Sequence, residues 1–334
     1  MIEHFSPDGL FAGTVFNLGL LGLSGVLLFF VLSGYLITGI LLSLRESPLR
    51  RALERFYIRR TLRIFPIYYL TLLVLVIIGL PSVTQYILWH GMYLSNVLFV
   101  LKPQVAAPIA HLWTLSVEEQ FYLIWPWLML AVPYKHVHRV ILCAITIGIC
   151  WKAVVINTLG DHLAGALPVF ACLDSLAVGA WLAFVEQDET LRSRHQHILR
   201  MLLIAGSAIV LLQTVLFITD GGRGLVLLMS NIGASLLFAW LVGRAAQGFK
   251  GWVGAVLEWR LVLFMGKISY GIYLYHYFMP RVLTYLLKSF GFDQPGSLFA
   301  GMLAFTLTVL TATLSWYLIE GPISHLKEKL SYPA

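Results

Sequence analysis

The chain has 334 residues, of which 59% are hydrophobic and only 12% charged, with a mean hydropathy of +0.83. A soluble domain carries about a quarter charged residues, so this composition excludes a soluble globular protein. The net charge of +7 would suit a nucleic-acid partner, but the basic residues sit in loops between apolar runs, where they set membrane orientation.

Apolar windows predict an all-α fold, a polytopic transmembrane helix bundle of about nine or ten spans. In chain order the windows are Leu20–Leu42, Leu62–Leu80, Leu112–Val132, Val140–Ile156, Leu167–Val185, Ile198–Phe217, Leu225–Val242, Leu263–Leu286 and Leu298–Ile319. The segment Tyr86–Leu101 is apolar but short and broken by Trp89-His90-Gly91, which reads as a re-entrant or interfacial piece. Cys143, Cys150 and Cys172 lie inside apolar stretches at spacings that suit neither a metal nor a disulfide.

The first loop carries Arg45, Arg50, Arg51, Arg55, Arg59, Arg60 and Arg63. Alternating spans put Lys135, Arg139, Arg192, Arg194, Arg200, Arg244, Lys250, Arg260, Lys327 and Lys329 on the same side, against Lys102, Arg223 and Lys288 on the other. The positive-inside rule makes the first side, and the carboxyl terminus, cytoplasmic. The amino terminus then falls outside. There Met1–Phe5 and the turn-like Ser6-Pro7-Asp8-Gly9 are too short to cross a bilayer, so either the start is external or a longer first helix begins before Met1.

Ionisable groups inside spans are costly and mark function by default. On a continuous helix His111 and Glu118 share nearly one face, with Thr114 on the same flank and Glu119 turned away. Such a pair suits acid/base activation of a hydroxyl; the plainer reading has His111 capping the helix and the carboxylates favoured by its dipole. Arg60 and Arg63 are i, i+3 neighbours at the mouth of a span. They either grip phosphate as guanidinium forks or anchor the helix end to lipid headgroups. Ser33-Gly34 reads as a helix-packing step, and Tyr270, Tyr273 and Tyr275 as an interfacial belt with His276 lying deeper. Asp174 is expected to play a structural part, pairing with a buried arginine, and Glu320-Gly321-Pro322 to end a helix.

In this order, Phe29-Phe-Val-Leu-Ser-Gly-Tyr-Leu-Ile-Thr38, Arg60-Thr-Leu-Arg-Ile-Phe-Pro66, Asn96, His111-Leu-Trp-Thr-Leu-Ser-Val-Glu-Glu-Gln-Phe-Tyr-Leu123, Ser269-Tyr-Gly-Ile-Tyr-Leu-Tyr-His276 and Glu320-Gly-Pro322 resemble the acyltransferase 3 family of membrane O-acyltransferases. The resemblance spans almost the whole chain. It implies one membrane domain over residues 1–325, with its first helix truncated, and a cytoplasmic tail over 326–334. It also implies a place in a bacterial cytoplasmic membrane and no fused extracytoplasmic domain. The implied activity is transfer of an acyl group, acetyl by default, from acyl-CoA to a hydroxyl of a saccharide or glycolipid, as in surface polysaccharide modification. No tightly bound cofactor, metal or nucleic acid is expected.

His4 matches the family's histidine near the end of its first helix and is the expected general base. The arginine that precedes it in the family would lie before Met1, and Cys172 stands where the family often has an arginine. The resemblance assigns Arg60 and Arg63 to the phosphates of acyl-CoA. Glu118 or His111 would orient the acceptor or protonate the leaving thiolate, and Ser116, Tyr122 or Tyr270 would supply oxyanion donors. Glu119 and His276 complete the expected substrate contacts. Direct transfer and an acyl-enzyme route both remain open. The rival readings are a permease or flippase for a lipid-linked saccharide and a membrane sensor or assembly partner.

Overall fold

The computed structural model describes residues 18–106, 109–159, 165–219, 223–291 and 297–328, and among them every regular element is helical. Helix α1 covers Leu18–Ser43 and α2 Leu49–Ile77, the short helices α3, α4 and α5 cover Pro81–Thr84, Ile87–Gly91 and Ser95–Leu101, and α6 covers Leu112–Ala131. Then come α7 (Tyr134–Leu159), α8 (Val169–Gln187), α9 (Glu189–Arg192), α10 (His195–Ile218) and α11 (Arg223–Ala246). The remainder is α12 (Gly251–Leu257), α13 (Arg260–Lys267), α14 (Ser269–Tyr275), α15 (Met279–Ser289), α16 (Ser297–Ser315), a π-helical turn (Trp316–Glu320) and α17 (Gly321–Glu328).

Among the described residues six helices are long and apolar enough to cross a membrane: Gly25–Ser43, Leu49–Ile77, Tyr134–Val155, Val169–Gln187, His195–Ile218 and Phe299–Ser324. Two more long helices, α6 and α11, run for 20 and 24 residues. The window Leu263–Leu286 differs from expectation: it is not one span but parts of α13, α14 and α15, each too short to cross. The breaks fall at Lys267-Ile268 and His276-Tyr277-Phe278, just before a helix with proline in its first turn, where the ring tolerates a helix start but not a helix interior. Only α3, α4 and α5 with a 3-10 turn occupy the region after α2, in keeping with an interfacial or re-entrant piece.

Glycine sets the central crossing. A Cβ at Gly34 would meet the Leu176 carbonyl oxygen at 1.8 Å, and one at Gly179 would meet the Val31 oxygen at 1.9 Å. So α1 and α8 touch backbone to backbone, as small residues in membrane helices allow, and the packing role expected for Gly34 is met. Helix α8 is the buried hub, packed also on α7 and α11. Helix α6 is fixed at its far end by Arg45, whose guanidinium donates to the Met129 carbonyl and, at 2.6 Å, to that of Val132. Val132 is extended because Pro133 follows it, and a cation on the freed carbonyls complements the helix dipole.

Glu320-Gly321-Pro322 does not end a helix as expected. The chain continues into α17, and the π-helical turn lies immediately before it. Proline lacks an N–H and clashes with the carbonyl a turn earlier, and widening that turn absorbs the misfit.

Candidate active site

Helix α6 carries the polar residues that an apolar span least tolerates, and it points them three ways. His111 sits just before the first turn and makes no side-chain capping bond. Its Nε2 instead donates to the Leu274 carbonyl at 3.1 Å, and its ring lies among Tyr273, His276, Tyr277 and Phe278. The Tyr273 hydroxyl donates to the His111 carbonyl at 2.6 Å and contacts the Thr114 hydroxyl, while His276 Nδ1 donates to the Tyr273 carbonyl at 2.6 Å. This arrangement gathers His111, Thr114, Tyr273 and His276 into one group.

Two turns on, Glu118 is buried, with 3% of its surface exposed. It lies against the Ser33 and Tyr122 hydroxyls, which contact each other, and within the fields of Arg60 and Arg63. The Arg60 guanidinium covers the Tyr122 ring at 5.4 Å and the Phe56 ring at 5.9 Å. A carboxylate buried in hydrocarbon needs such partners, since charge in low dielectric is costly unless compensated. His111 and Glu118 stand in two separate groups. A rise of about 1.5 Å per residue sets them roughly 10 Å apart along the axis, and Tyr273, a member of the His111 group, has its hydroxyl in the field of Glu118.

Arg60 and Arg63 face different surroundings. Helix α2 begins at Leu49, so Arg60 lies about 16 Å into it at the usual rise per residue. While Arg60 faces Tyr122, Arg63 lines a cavity of about 490 Å³ with Pro66, Lys267, Tyr270, Trp316 and Glu320. Glu320, at the end of the π-helical turn, accepts from Ser315, whose hydroxyl accepts from Tyr275 at 3.1 Å. The arginine pair thus bridges the Glu118 group and an open cavity.

The third direction belongs to Glu119 and Gln120. Glu119 is half-buried among Tyr69, Tyr93 and Tyr270. The Tyr270 hydroxyl is already committed to the Ile64 carbonyl at 3.0 Å. Gln120 makes a double amide link with Asn96, at 2.9 and 3.2 Å, and donates to the Tyr93 carbonyl at 2.8 Å. Tyr93 is the one non-glycine residue with positive φ (54°) among the described residues, a conformation that costs on the order of 1–3 kcal/mol and persists only where surroundings enforce it. Ser116 stands apart: it donates to the Leu112 carbonyl and accepts from the Ser95 amide, both at 3.2 Å, tying α5 to α6.

Asp174 pairs with a lysine, not an arginine. Lys152 Nζ and Asp174 Oδ2 are 2.6 Å apart, both almost fully buried, and Asp174 also receives the Ser175 amide, with Ser175 linked to Ser235 at 2.8 Å. This network joins α7, α8 and α11. Lys152 went unremarked in the sequence although a cation inside an apolar window is itself a signal; Tyr93 gives no such signal. His4 lies outside the described residues. Among the described residues no cluster of His, Cys, Asp and Glu could hold a metal.

Comparison with known proteins follows the same lines. The family model described as an acyltransferase domain matches residues 1–320. The chain is 30% identical over 329 residues to the peptidoglycan O-acetyltransferase OatA of Listeria monocytogenes, covering 90% of this chain and 51% of that protein. It is 30% identical over 332 residues to a putative peptidoglycan O-acetyltransferase, YrhL, of Bacillus subtilis, with 90% and 50% covered. A putative O-acetyltransferase of Staphylococcus aureus is 26% identical over 334 residues, with 90% and 52% covered. The chain spans about half the length of the curated relatives it matches. No solved structure gives a significant match. With the family model covering residues 1–320 of the 334, this chain belongs to the acyltransferase 3 family.

Proposed function

We propose that this protein is a membrane O-acetyltransferase that moves an acetyl group from acetyl-CoA to a hydroxyl of a cell-envelope saccharide, peptidoglycan being the acceptor named for its relatives. The observation that carries the reading is the buried Glu118 held within the fields of Arg60 and Arg63, with Arg63 lining the cavity of about 490 Å³. The Arg63 guanidinium at the cavity wall suits a phosphate of coenzyme A. The buried Glu118 carboxylate suits proton transfer in a site shielded from water.

In this reading His4 removes the proton from the acceptor hydroxyl as its oxygen attacks the thioester carbonyl. The C–S bond of the tetrahedral intermediate then breaks, and the thiolate takes up a proton to leave as free coenzyme A. Glu118 and His111 orient the acceptor and complete the proton transfers, with Tyr122 and Tyr270 beside the reacting carbonyl. The basic ends of the helices face the cytoplasm, where acetyl-CoA is made, and the membrane is the bacterial cytoplasmic membrane. The amino-terminal 1–325 form the membrane domain, and no tightly bound cofactor takes part.

The test is labelled acetyl transfer from acetyl-CoA to envelope glycans in membranes carrying the chain. Glu118→Gln and His4→Ala are each expected to lower the rate by about 100-fold or more, the usual loss on removing a general acid or base. Unchanged labelling in both variants would sink the assignment of these residues.

A further inference from the structure

Two buried polar atoms in the same part of the bundle are left without a hydrogen-bond partner: Glu119 Oε1 and the Tyr93 hydroxyl. They come from different elements, Glu119 from α6 and Tyr93 from the link between α4 and α5, which meet where Gln120, the residue after Glu119, donates to the Tyr93 carbonyl at 2.8 Å; Tyr93 and Tyr270 both lie in the field of Glu119. Tyr93 is 6% exposed, and unsatisfied polar groups at such burial are rare in native proteins. The surroundings hold this hydroxyl in place. Its ring stacks on Tyr68 at 4.3 Å and packs against Phe65 at 5.5 Å. Gln120, braced by Asn96, holds its carbonyl.

The neighbouring hydroxyls are used otherwise. Tyr122 is engaged with Ser33, Tyr270 with the Ile64 carbonyl, and Tyr68 with the His90 carbonyl at 2.8 Å. One donor and one acceptor, both buried in this neighbourhood, complement a group that both accepts and donates, as an alcohol hydroxyl does. We propose that Tyr93 and Glu119 form a subsite for a hydroxyl of the saccharide acceptor, with the Tyr93 hydroxyl donating to the sugar oxygen and Glu119 accepting the sugar proton.

This subsite deepens the saccharide-acceptor reading and rests on it. A site built to hydrogen-bond a hydroxyl loses affinity sharply when one of its partners is removed, because the other is left unpaired. The experiment measures binding of the disaccharide N-acetylglucosamine–N-acetylmuramic acid to the detergent-purified full chain, with coenzyme A binding measured on the same samples. Tyr93→Phe keeps the stacked ring and removes only the hydroxyl, and Glu119→Gln keeps the shape. Each is expected to weaken disaccharide binding by about tenfold or more, with coenzyme A affinity within about twofold of wild type. Undiminished disaccharide affinity in both variants would overturn the subsite, as would a parallel loss of coenzyme A binding or a wild-type chain that does not bind the disaccharide. Tyr93-dependent binding by a protein that transfers no acetyl would retain the subsite and refute the transferase reading. Acetyl transfer with wild-type acceptor KM in both variants would do the reverse.

Discussion

At the scale of single residues, charge inside the bundle is tolerated only where a partner meets it. Lys152 and Asp174 are the sharpest case, with side chains 4% and 1% exposed and atoms 2.6 Å apart. Truncating one member of a buried pair leaves the other uncompensated at a cost of about 3–5 kcal/mol. Asp174→Ala is therefore expected to lower the denaturation temperature of the purified protein markedly, and Lys152→Met with Asp174→Leu to restore much of it. A single variant as stable as wild type would show that the pair is dispensable. The residue-level reading from sequence reached Asp174 and its structural part but not Lys152. Asp174 stands out as an acid in an apolar run, while Lys152, inside the window Val140–Ile156, went unremarked. Glu118, Arg60 and Arg63 were legible because spacing along one helix is local. Tyr93 was not, because its place is set by separate contacts with Tyr68 and Gln120 that no linear pattern reveals.

At the scale of elements, hydropathy windows located most long helices within a few residues, since the bilayer imposes one length on all of them. They failed at Leu263–Leu286, where composition is apolar enough to span but the chain turns at Ile268 and again at His276–Phe278. That break is what brings Leu274, Tyr273 and His276 against His111. The α1–α8 crossing gives the clearest element-level prediction. Gly34→Ala puts a methyl carbon 1.8 Å from the Leu176 oxygen, so the helices must separate. Loss of folded, monodisperse protein is expected in size-exclusion chromatography. Gly25→Ala, on the same helix with nothing within 4 Å, is expected to behave as wild type. Equal behaviour of the two variants would contradict the backbone-to-backbone packing. Arg45 offers a milder test, since Arg45→Ala uncaps α6 at Met129 and Val132. A cost of about 0.3–2 kcal/mol is expected, in the range for a cation at a helix C-terminus, and no change in denaturation midpoint would count against the cap.

At the scale of the whole molecule, the parts combine into a helical vessel: a tight hub of α1, α7, α8 and α11, and a looser side where α2, α13, α14 and the π-helical turn surround the cavity. The polar interior along α6 connects the two. The positive-inside bias was read from the chain alone, and it yields a testable arrangement. Single cysteines at Arg51 and Lys135, in a chain with Cys143, Cys150 and Cys172 replaced, are expected to react with an impermeant maleimide only after the membrane is opened. A cysteine at Lys288 is expected to react in intact cells. The reverse pattern would turn the bundle over and put Arg60 and Arg63 away from cytoplasmic acetyl-CoA. The most direct measurement of the central proposal is a purified-component reaction: the protein in liposomes, acetyl-CoA on the basic side, and a peptidoglycan fragment as acceptor. Free coenzyme A thiol and ester-linked acetate are expected to appear in equal amounts, both abolished by Arg60→Ala with Arg63→Ala. Movement of the saccharide across the membrane with no release of thiol, in the same preparation, would contradict the account and establish a transporter.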